Sequence, residues 1–307
     1  MSTLIELSKI DSRLSQGHRS CSGCGFPQII RTVLRSIDAP VVVSLATGCM
    51  EVTTTIFPES SWKVPLIHSA FENASATISG AISAFENIKK TGKWNARGKD
   101  PVFVVLGGDG GTYDIGLQSL SGAIERGHNF LYICYDNEAY MNTGVQRSSA
   151  TPFGAETTTS LFGEAGNGKI TFKKPLTEII VAHGLPYVAQ ASVSHILDLH
   201  EKVKKAISFR GPKFINVLAT CPVGWRVDSE KSMEVARLAV ETRYWPLYEV
   251  ENGEYHISVD IPNPKPVTEF LKIQGRFKNL IKNEIAIKYI QDNINKNWEG
   301  LKKHSEI

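Results

Sequence analysis

The stretch Leu106 to Thr143, LGGDGGTYDIGLQSLSGAIERGHNFLYICYDNEAYMNT, decides the fold. Just before it, Val102, Val104 and Val105 form a β-branched run that reads as a buried parallel strand, ending in Gly107-Gly108-Asp109-Gly110-Gly111. The chain then turns into a helix with Leu117, Leu120 and Ile124 on one face. Four glycines in five residues let backbone N–H groups approach a bound group, and the helix start adds a positive dipole end, so the turn suits a diphosphate. Taken alone, such a turn is either a phosphate loop or a tight turn. Asp109 sits inside it, and Asn137 follows 28 residues later, after a second apolar strand, Phe130 to Tyr135. Two adjacent parallel strands bring both side chains to one sheet edge, where hard oxygens suit Mg2+ held against phosphates. The spacing is not a dinucleotide fingerprint, because no acidic residue follows at the end of the next strand in the required way.

Upstream, strand Pro40 to Leu45 runs into Ala46-Thr47-Gly48-Cys49, another turn at a strand's carboxyl end, where open α/β sheets place ligands. Trp62 to Ile67 is a short apolar segment, and Ser69 to Lys89 reads as a helix with Ala74, Ile78, Ala81, Phe85 and Ile88 on one face. His68, Glu72 and Asn73 at its start either face the ligand cleft or cap the helix. A basic loop, Lys90 to Lys99, returns to the central strand. Downstream, Leu185 to Ala191 and Lys213 to Ala219 read as strands around a helix with Ile196, Leu199, Val203 and Ala206 inward and Lys202, Lys204 and Lys205 outward. Strand, helix and strand alternate from residue 40 to 221, which implies an α/β fold with a doubly wound, mainly parallel sheet. The loop from Gln146 to about Lys174 is long enough to be a functional cover or an interface. Asn142 either reaches a substrate carboxylate or carbonyl in the cleft or caps its own turn.

From Val223 the chain turns aromatic, with Trp225, Tyr244, Trp245 and Tyr248. Ile261-Pro262-Asn263-Pro264-Lys265-Pro266 breaks any helix, and 267–307 returns to helical spacing. We therefore divide the chain into a ligand-binding domain, 1–260, and a helical C-terminal extension, 261–307, that packs on the domain or on another subunit. Residues 1 to 17 read as an arm.

The 307 residues carry a formal charge of only +3, which argues against nucleic-acid binding. No apolar run approaches about 20 residues and the start lacks a secretory core, so the expectation is a cytoplasmic protein with no membrane contact. Five cysteines without a secretion signal point to thiols, not disulfides. Cys134, inside an apolar strand, is core filling. Cys21, Cys24, Cys49 and Cys221 lie in loops at strand or helix ends, and four thiolates at one sheet edge suit structural zinc or a [4Fe-4S] cluster, with reduced core thiols as the alternative.

Together, GHRSCSGCG (17–25), ATGCMEVTTTIFPESSWKVPLIHSAFENA (46–74), the run GDGGTYDIG to TPFGA (108–155), TCPVGWRVD (220–228), ARLAVETRYWPLYE (236–249) and LKIQGRF (271–277) resemble the thiamine-binding β subunits of the 2-oxoacid:ferredoxin oxidoreductases, pyruvate:ferredoxin oxidoreductase among them. The resemblance spans most of the chain. It implies a [4Fe-4S] cluster on Cys21, Cys24, Cys49 and Cys221 beside thiamine diphosphate, with Mg2+ held by Asp109, Asn137 and the Ala139 carbonyl. Thr47, Gly48, Cys49, Gly108, Gly110 and Gly111 would line the cofactor, and Asn142 would touch the 2-oxoacid as the catalytic residue. One departure is Phe26, where some relatives carry Glu; it bears on polarity near the cofactor and on substrate choice. The implied reaction is coenzyme A-dependent oxidative decarboxylation of pyruvate to acetyl-CoA and CO2, with electrons passed to ferredoxin. The carboxylate that activates thiamine would come from an α subunit, and γ and ferredoxin-like δ subunits would complete the enzyme. Two alternatives stay open: another 2-oxoacid (branched-chain, aryl, 2-oxoglutarate or oxalate), or a non-redox thiamine-diphosphate lyase. A scaffold with a zinc clasp is a third class.

Overall fold

The valine-rich runs do become buried strands, because a parallel strand covered on both faces must be apolar on both. The computed structural model describes residues 3–94, 98–163 and 166–305. Parts of the arm, of the loop Lys90 to Lys99, of the loop Gln146 to Lys174 and of the C-terminal extension therefore lie outside the described residues. The strands are β1 (Val41–Ala46), β2 (Leu66–Ser69), β3 (Val102–Gly108), β4 (Phe130–Asp136), a two-residue pair β5 (Phe162–Gly163) and β6 (Gly166–Asn167), β7 (Tyr187–Ser192), β8 (Lys213–Leu218), β9 (Leu247–Glu251) and β10 (Glu254–Val259). Eight of them form one sheet in the order β10-β9-β7-β8-β4-β3-β1-β2. From β7 to β2 every neighbouring pair is parallel, while β9 and β10 are antiparallel additions at one edge.

Side chains alternate across this sheet into two cores. Val43, Leu45, Val104, Leu106, Ile133 and Tyr135 face one side, packed under helices Phe26–Arg35 and Ile196–Ser208. Val105, Tyr132, Cys134 and Phe214 face the other, under helices Ala74–Lys90 and Leu117–Glu125. Cys134 is fully buried there, as expected of core filling. A third core joins Trp225 and Val235 to Phe270, Phe277 and Ile294, so residues 267–294 share packing with the strand ends instead of hanging free.

Several details differ from the sequence reading. The segment after Trp245 forms the hairpin β9–β10, closed by Asn252 and Gly253, both at positive φ. That Asn-Gly pair is a hairpin signal, obscured by the aromatic residues around it. In helix Ala74–Lys90, Ile82 is buried and Ile88 is exposed, the reverse of the expected face at its far end. Lys202 is not on a solvated face: it is 2% exposed and donates to the Gln190 carbonyl, Asp198 and Ser258. The arm contains a short helix, Leu4–Lys9, with a capping box at Thr3 and Glu6, and Leu14 bridges to Trp62.

Candidate functional site

Because β1, β3, β4 and β8 are parallel, their carboxyl ends open on one edge of the sheet and deliver Thr47, Asp109, Asn137 and Cys221 together. Gly108 pairs with Tyr135 across β3 and β4, so Asp109 and Asn137 leave adjacent strands at nearly the same height. After Asp109 the backbone does not begin an α-helix at once. Gly110–Ile115 winds as one π-helical turn before Leu117–Glu125, a local widening that recurs at functional sites. The glycines here are needed for close approach: a Cβ on Gly110 would fall 2.3 Å from the Tyr140 ring, and one on Gly108 3.1 Å from Tyr135.

Three oxygens converge at this edge. The Asn137 side-chain oxygen stands 2.8 Å from Asp109 Oδ1 and 3.0 Å from the Ala139 carbonyl, so it faces acceptors only. Neighbouring oxygens on a cation with bonds of about 2.1 Å are about 2.9 Å apart, so this spacing matches a six-coordinate Mg2+ shell. With the cation absent, the amide turned over would donate to both. Asp109 is 1% exposed, and its one side-chain partner is the Ser148 hydroxyl, donating at 2.5 Å. Burial, then the neighbouring Asp136, pushes the Asp109 carboxyl well above the usual carboxylate range. A buried acid with no salt-bridge partner among the described residues, beside two neutral oxygens, is a donor set that suits a hard cation.

Behind this front row every charge is answered. Asp136 and Glu138 are fully buried. Lys173 bridges them at 2.8 and 3.0 Å, Tyr113 donates to Asp136 at 2.5 Å, and Tyr244 and Arg276 donate to Glu138 at 2.9 and 2.5 Å. Burial opposes ionisation of Glu138, yet Lys173 and Arg276 together hold its carboxyl below the usual value. Its backbone is left-handed, φ 72°, which costs a non-glycine residue about 1–2 kcal/mol. Hydrogen bonds to charged groups, about 1.5–3 kcal/mol each, can offset that.

The cysteine-bearing segments are stitched to one another. Gly25 N donates to the Thr220 carbonyl, and Ser232 donates to the Gly23 carbonyl with Thr220 Oγ1 2.6 Å from its hydroxyl, tying the 21–25 loop to the approach to Cys221. Arg19 N donates to the Thr53 carbonyl, tying the same loop to helix Cys49–Thr54. Cys24, Cys49 and Cys221 are partly buried and Cys21 is exposed. Burial first, then the neighbouring thiols, pushes both Cys24 and Cys49 up to about 12. Cys49 and the Asp109–Asn137–Ala139 oxygens line one cavity. Among the described residues no three Cys, His, Asp or Glu close on a single ion.

A cavity of about 180 Å3 at this edge is lined by Thr47, Gly48, Cys49, Gly108, Asp109, Gly110, Asn137, Ala139 and Asn142. Phe71, Tyr135, Tyr140, Met141 and Thr143 complete its wall, and sequence reasoning had given none of these a role. Gly111 does not reach the cavity; it lies under Phe71, whose carbonyl a Cβ there would meet at 2.9 Å. Asn142 sits exposed at the mouth, and its turn is closed by Thr143 and Gln146 instead. His68 bonds Thr47 Oγ1 at 2.8 Å, while Asn73 makes no cap. Phe26 stays out of the cavity, packed at 6.0 Å behind the Tyr135 ring. A larger cavity of about 590 Å3 under helix Glu284–Ser305 contains none of these residues, and chemistry rather than size singles out the smaller one.

An open parallel sheet with a glycine turn, converging oxygens and a buried acid at its carboxyl edge has the form of a thiamine pyrophosphate enzyme. Residues 46–217, more than half of the chain, match the family Thiamine pyrophosphate enzyme, C-terminal TPP binding domain. The chain is 48% identical to pyruvate synthase subunit PorB of Thermotoga maritima, covering 98% of this chain and 95% of that one. It is 52% identical to pyruvate synthase subunit PorB of Methanocaldococcus jannaschii (90% and 93%) and 46% identical to ketoisovalerate oxidoreductase subunit VorB of Pyrococcus abyssi (95% and 93%). The fold is shared with a chain of 2-oxoglutarate:ferredoxin oxidoreductase from Magnetococcus marinus, TM-score 0.57 at 21% identity, over 74% of this chain and 79% of that one. The chain therefore belongs to the pyruvate synthase PorB family of 2-oxoacid oxidoreductase subunits. Among the described residues no helix is long and apolar enough to cross a membrane.

Proposed function

We propose that this chain is the cofactor-bearing subunit of a cytoplasmic pyruvate:ferredoxin oxidoreductase. Asp109, Asn137 and the Ala139 carbonyl would hold Mg2+ and through it thiamine diphosphate, and Cys21, Cys24, Cys49 and Cys221 would hold a [4Fe-4S] cluster. The observation that carries the reading is the Asn137 side-chain oxygen set 2.8 Å from Asp109 and 3.0 Å from the Ala139 carbonyl in a cavity that Cys49 also lines. Bound there, thiamine diphosphate supplies the carbon nucleophile for the 2-oxo group and the cluster supplies a one-electron acceptor. The chain's own part is to bind and orient: the Gly108 and Gly110 backbone, which lines the cavity, would hold the diphosphate, and Asn142 would donate to the substrate carboxylate or carbonyl.

The cavity, at about 180 Å3, falls below the roughly 300–1,000 Å3 of complete small-molecule sites. That supports a cofactor shared with a neighbouring chain. An α subunit supplies the activating carboxylate, coenzyme A enters beside it, and γ and ferredoxin-like δ subunits take the electrons to ferredoxin. The extension 261–307 serves as a subunit contact, with Ile285, 84% exposed, on its outer side. Pyruvate is favoured by the PorB relatives, and the VorB relative makes a branched-chain 2-oxoacid the competing substrate.

The test is an anaerobic assay of the purified complex against a panel of 2-oxoacids, with coenzyme A and a low-potential acceptor, alongside iron, zinc, magnesium and thiamine analysis. Pyruvate should give the highest kcat/KM, with four irons and one thiamine diphosphate assignable to this chain. Zinc without iron, iron confined to partner chains, or preference for a branched 2-oxoacid would each overturn the corresponding part.

A further inference from the structure

The motif LKIQGRF contributes nothing to the cavity, yet one of its side chains reaches the centre of the site. Arg276 is 3% exposed, donates to Glu138 at 2.5 Å, and lies 4.2 Å over the Trp225 ring. Trp225 in turn donates its indole N–H to the Asn137 carbonyl at 2.8 Å, and it ends the short helix that Cys221 caps. Glu138 stands between two of the converging ligands, in the left-handed conformation, and that conformation is what turns the Asn137 amide and the Ala139 carbonyl toward the same point. Only a few groups hold it there. Thr151 donates to the Glu138 carbonyl at 2.7 Å, Glu138 N donates to Asp136, and the side chain is gripped by Arg276, Lys173 and Tyr244. Arg276 is itself aimed by Gln274, which accepts from it at 2.7 and 2.9 Å.

We propose that Arg276 is a positioning residue for the metal site: clamping Glu138 and stacking on Trp225, it sets the Asn137 and Ala139 oxygens and ties that turn to the Cys221 loop. The inference rests on the Mg2+ and thiamine diphosphate reading given above. Arg276 does not line the cavity; it acts through Glu138. Groups of this kind, removed from second-layer positions, typically cost 10–100-fold in metal affinity.

The experiment uses the purified complex stripped of divalent metal, titrated with Mg2+ at fixed thiamine diphosphate, with cofactor binding read by fluorescence quenching. Arg276→Met should raise the half-saturating Mg2+ concentration about 10–100-fold, and Arg276→Lys should recover part of the loss. Glycine adopts a left-handed φ without help, so Arg276→Met with Glu138→Gly should bind Mg2+ more tightly than Arg276→Met alone. A purely structural Arg276 would not show that rescue. If Arg276→Met fails to assemble, Glu138→Gln, which keeps shape and removes charge, should show the same 10–100-fold loss. Wild-type Mg2+ dependence in both single variants, or no rescue in the double variant, overturns the inference. A wild-type complex that binds thiamine diphosphate without any divalent cation overturns the underlying reading instead.

Discussion

The front and the back of the strand-end turn contain similar atoms and obey opposite rules. In front, Asp109, Asn137 and Ala139 direct oxygens at one another, and the Ser148 hydroxyl donates to the acid. Behind, Asp136 and Glu138 meet Lys173, Arg276, Tyr113 and Tyr244, and both carboxylates are answered. Buried charge without a partner is costly, so it persists where something outside the chain completes it. The back row holds the shape of the turn; the front row presents the oxygens that the proposed function assigns to a cation.

The sharpest way to break this contrast is Asp109→Ala, which should abolish Mg2+-dependent retention of thiamine diphosphate while leaving the iron content unchanged. Cofactor retained at the wild-type level would move the metal elsewhere. Cys221→Ala should do the converse, losing the cluster's visible absorbance and iron while thiamine diphosphate stays bound. Loss of both together would show that the two sites fold as one. Lys173→Met attacks the back row: it leaves two buried carboxylates to share what remains, and should destabilise the protein by about 3–5 kcal/mol in a denaturant titration. A loss below about 1 kcal/mol would mean the network is less dependent on its bridging charge than the geometry implies.

The mildest test lies at the opposite end of the sheet. Lys213 is 3% exposed with the Asn129 amide oxygen at 2.5 Å, and burial lowers its pKa to about 8. Between about 8 and the ordinary value of about 10.4 the unfolded chain holds a proton that the folded chain has released, so stability should rise with pH across that window. Lys213→Met should gain about 1–3 kcal/mol at pH 7 and flatten that rise, measured as Tm against pH. A flat profile in the unaltered protein would show that the ammonium reaches water.

How much of this was legible depends on the kind of signal. The parallel core showed plainly, because strands buried on both faces require runs such as Val41-Val42-Val43 and Val102 to Val105. The pairing of Asp109 with Asn137 was legible too, since a strand-helix-strand unit returns the chain to the neighbouring position. Lys202 was misplaced because its partners, Gln190, Asp198 and Ser258, include two from other elements that no helical spacing reveals. Tyr135 had been read only as the end of an apolar strand, although its ring forms a wall of the cavity.

The sequence by itself determined the parallel core of the sheet, the glycine turn, the placing of Asp109 and Asn137 on neighbouring strands and the identity of the thiol-bearing loops, because each follows from local periodicity or from a short motif. Only the tertiary structure decided that Arg276, 138 positions from Glu138, grips the left-handed turn between Asn137 and Ala139, and that Trp225 joins that turn to Cys221. Such contacts depend on how the C-terminal segment packs over the strand ends, and burial of a charge can be read only once all of its neighbours are in place.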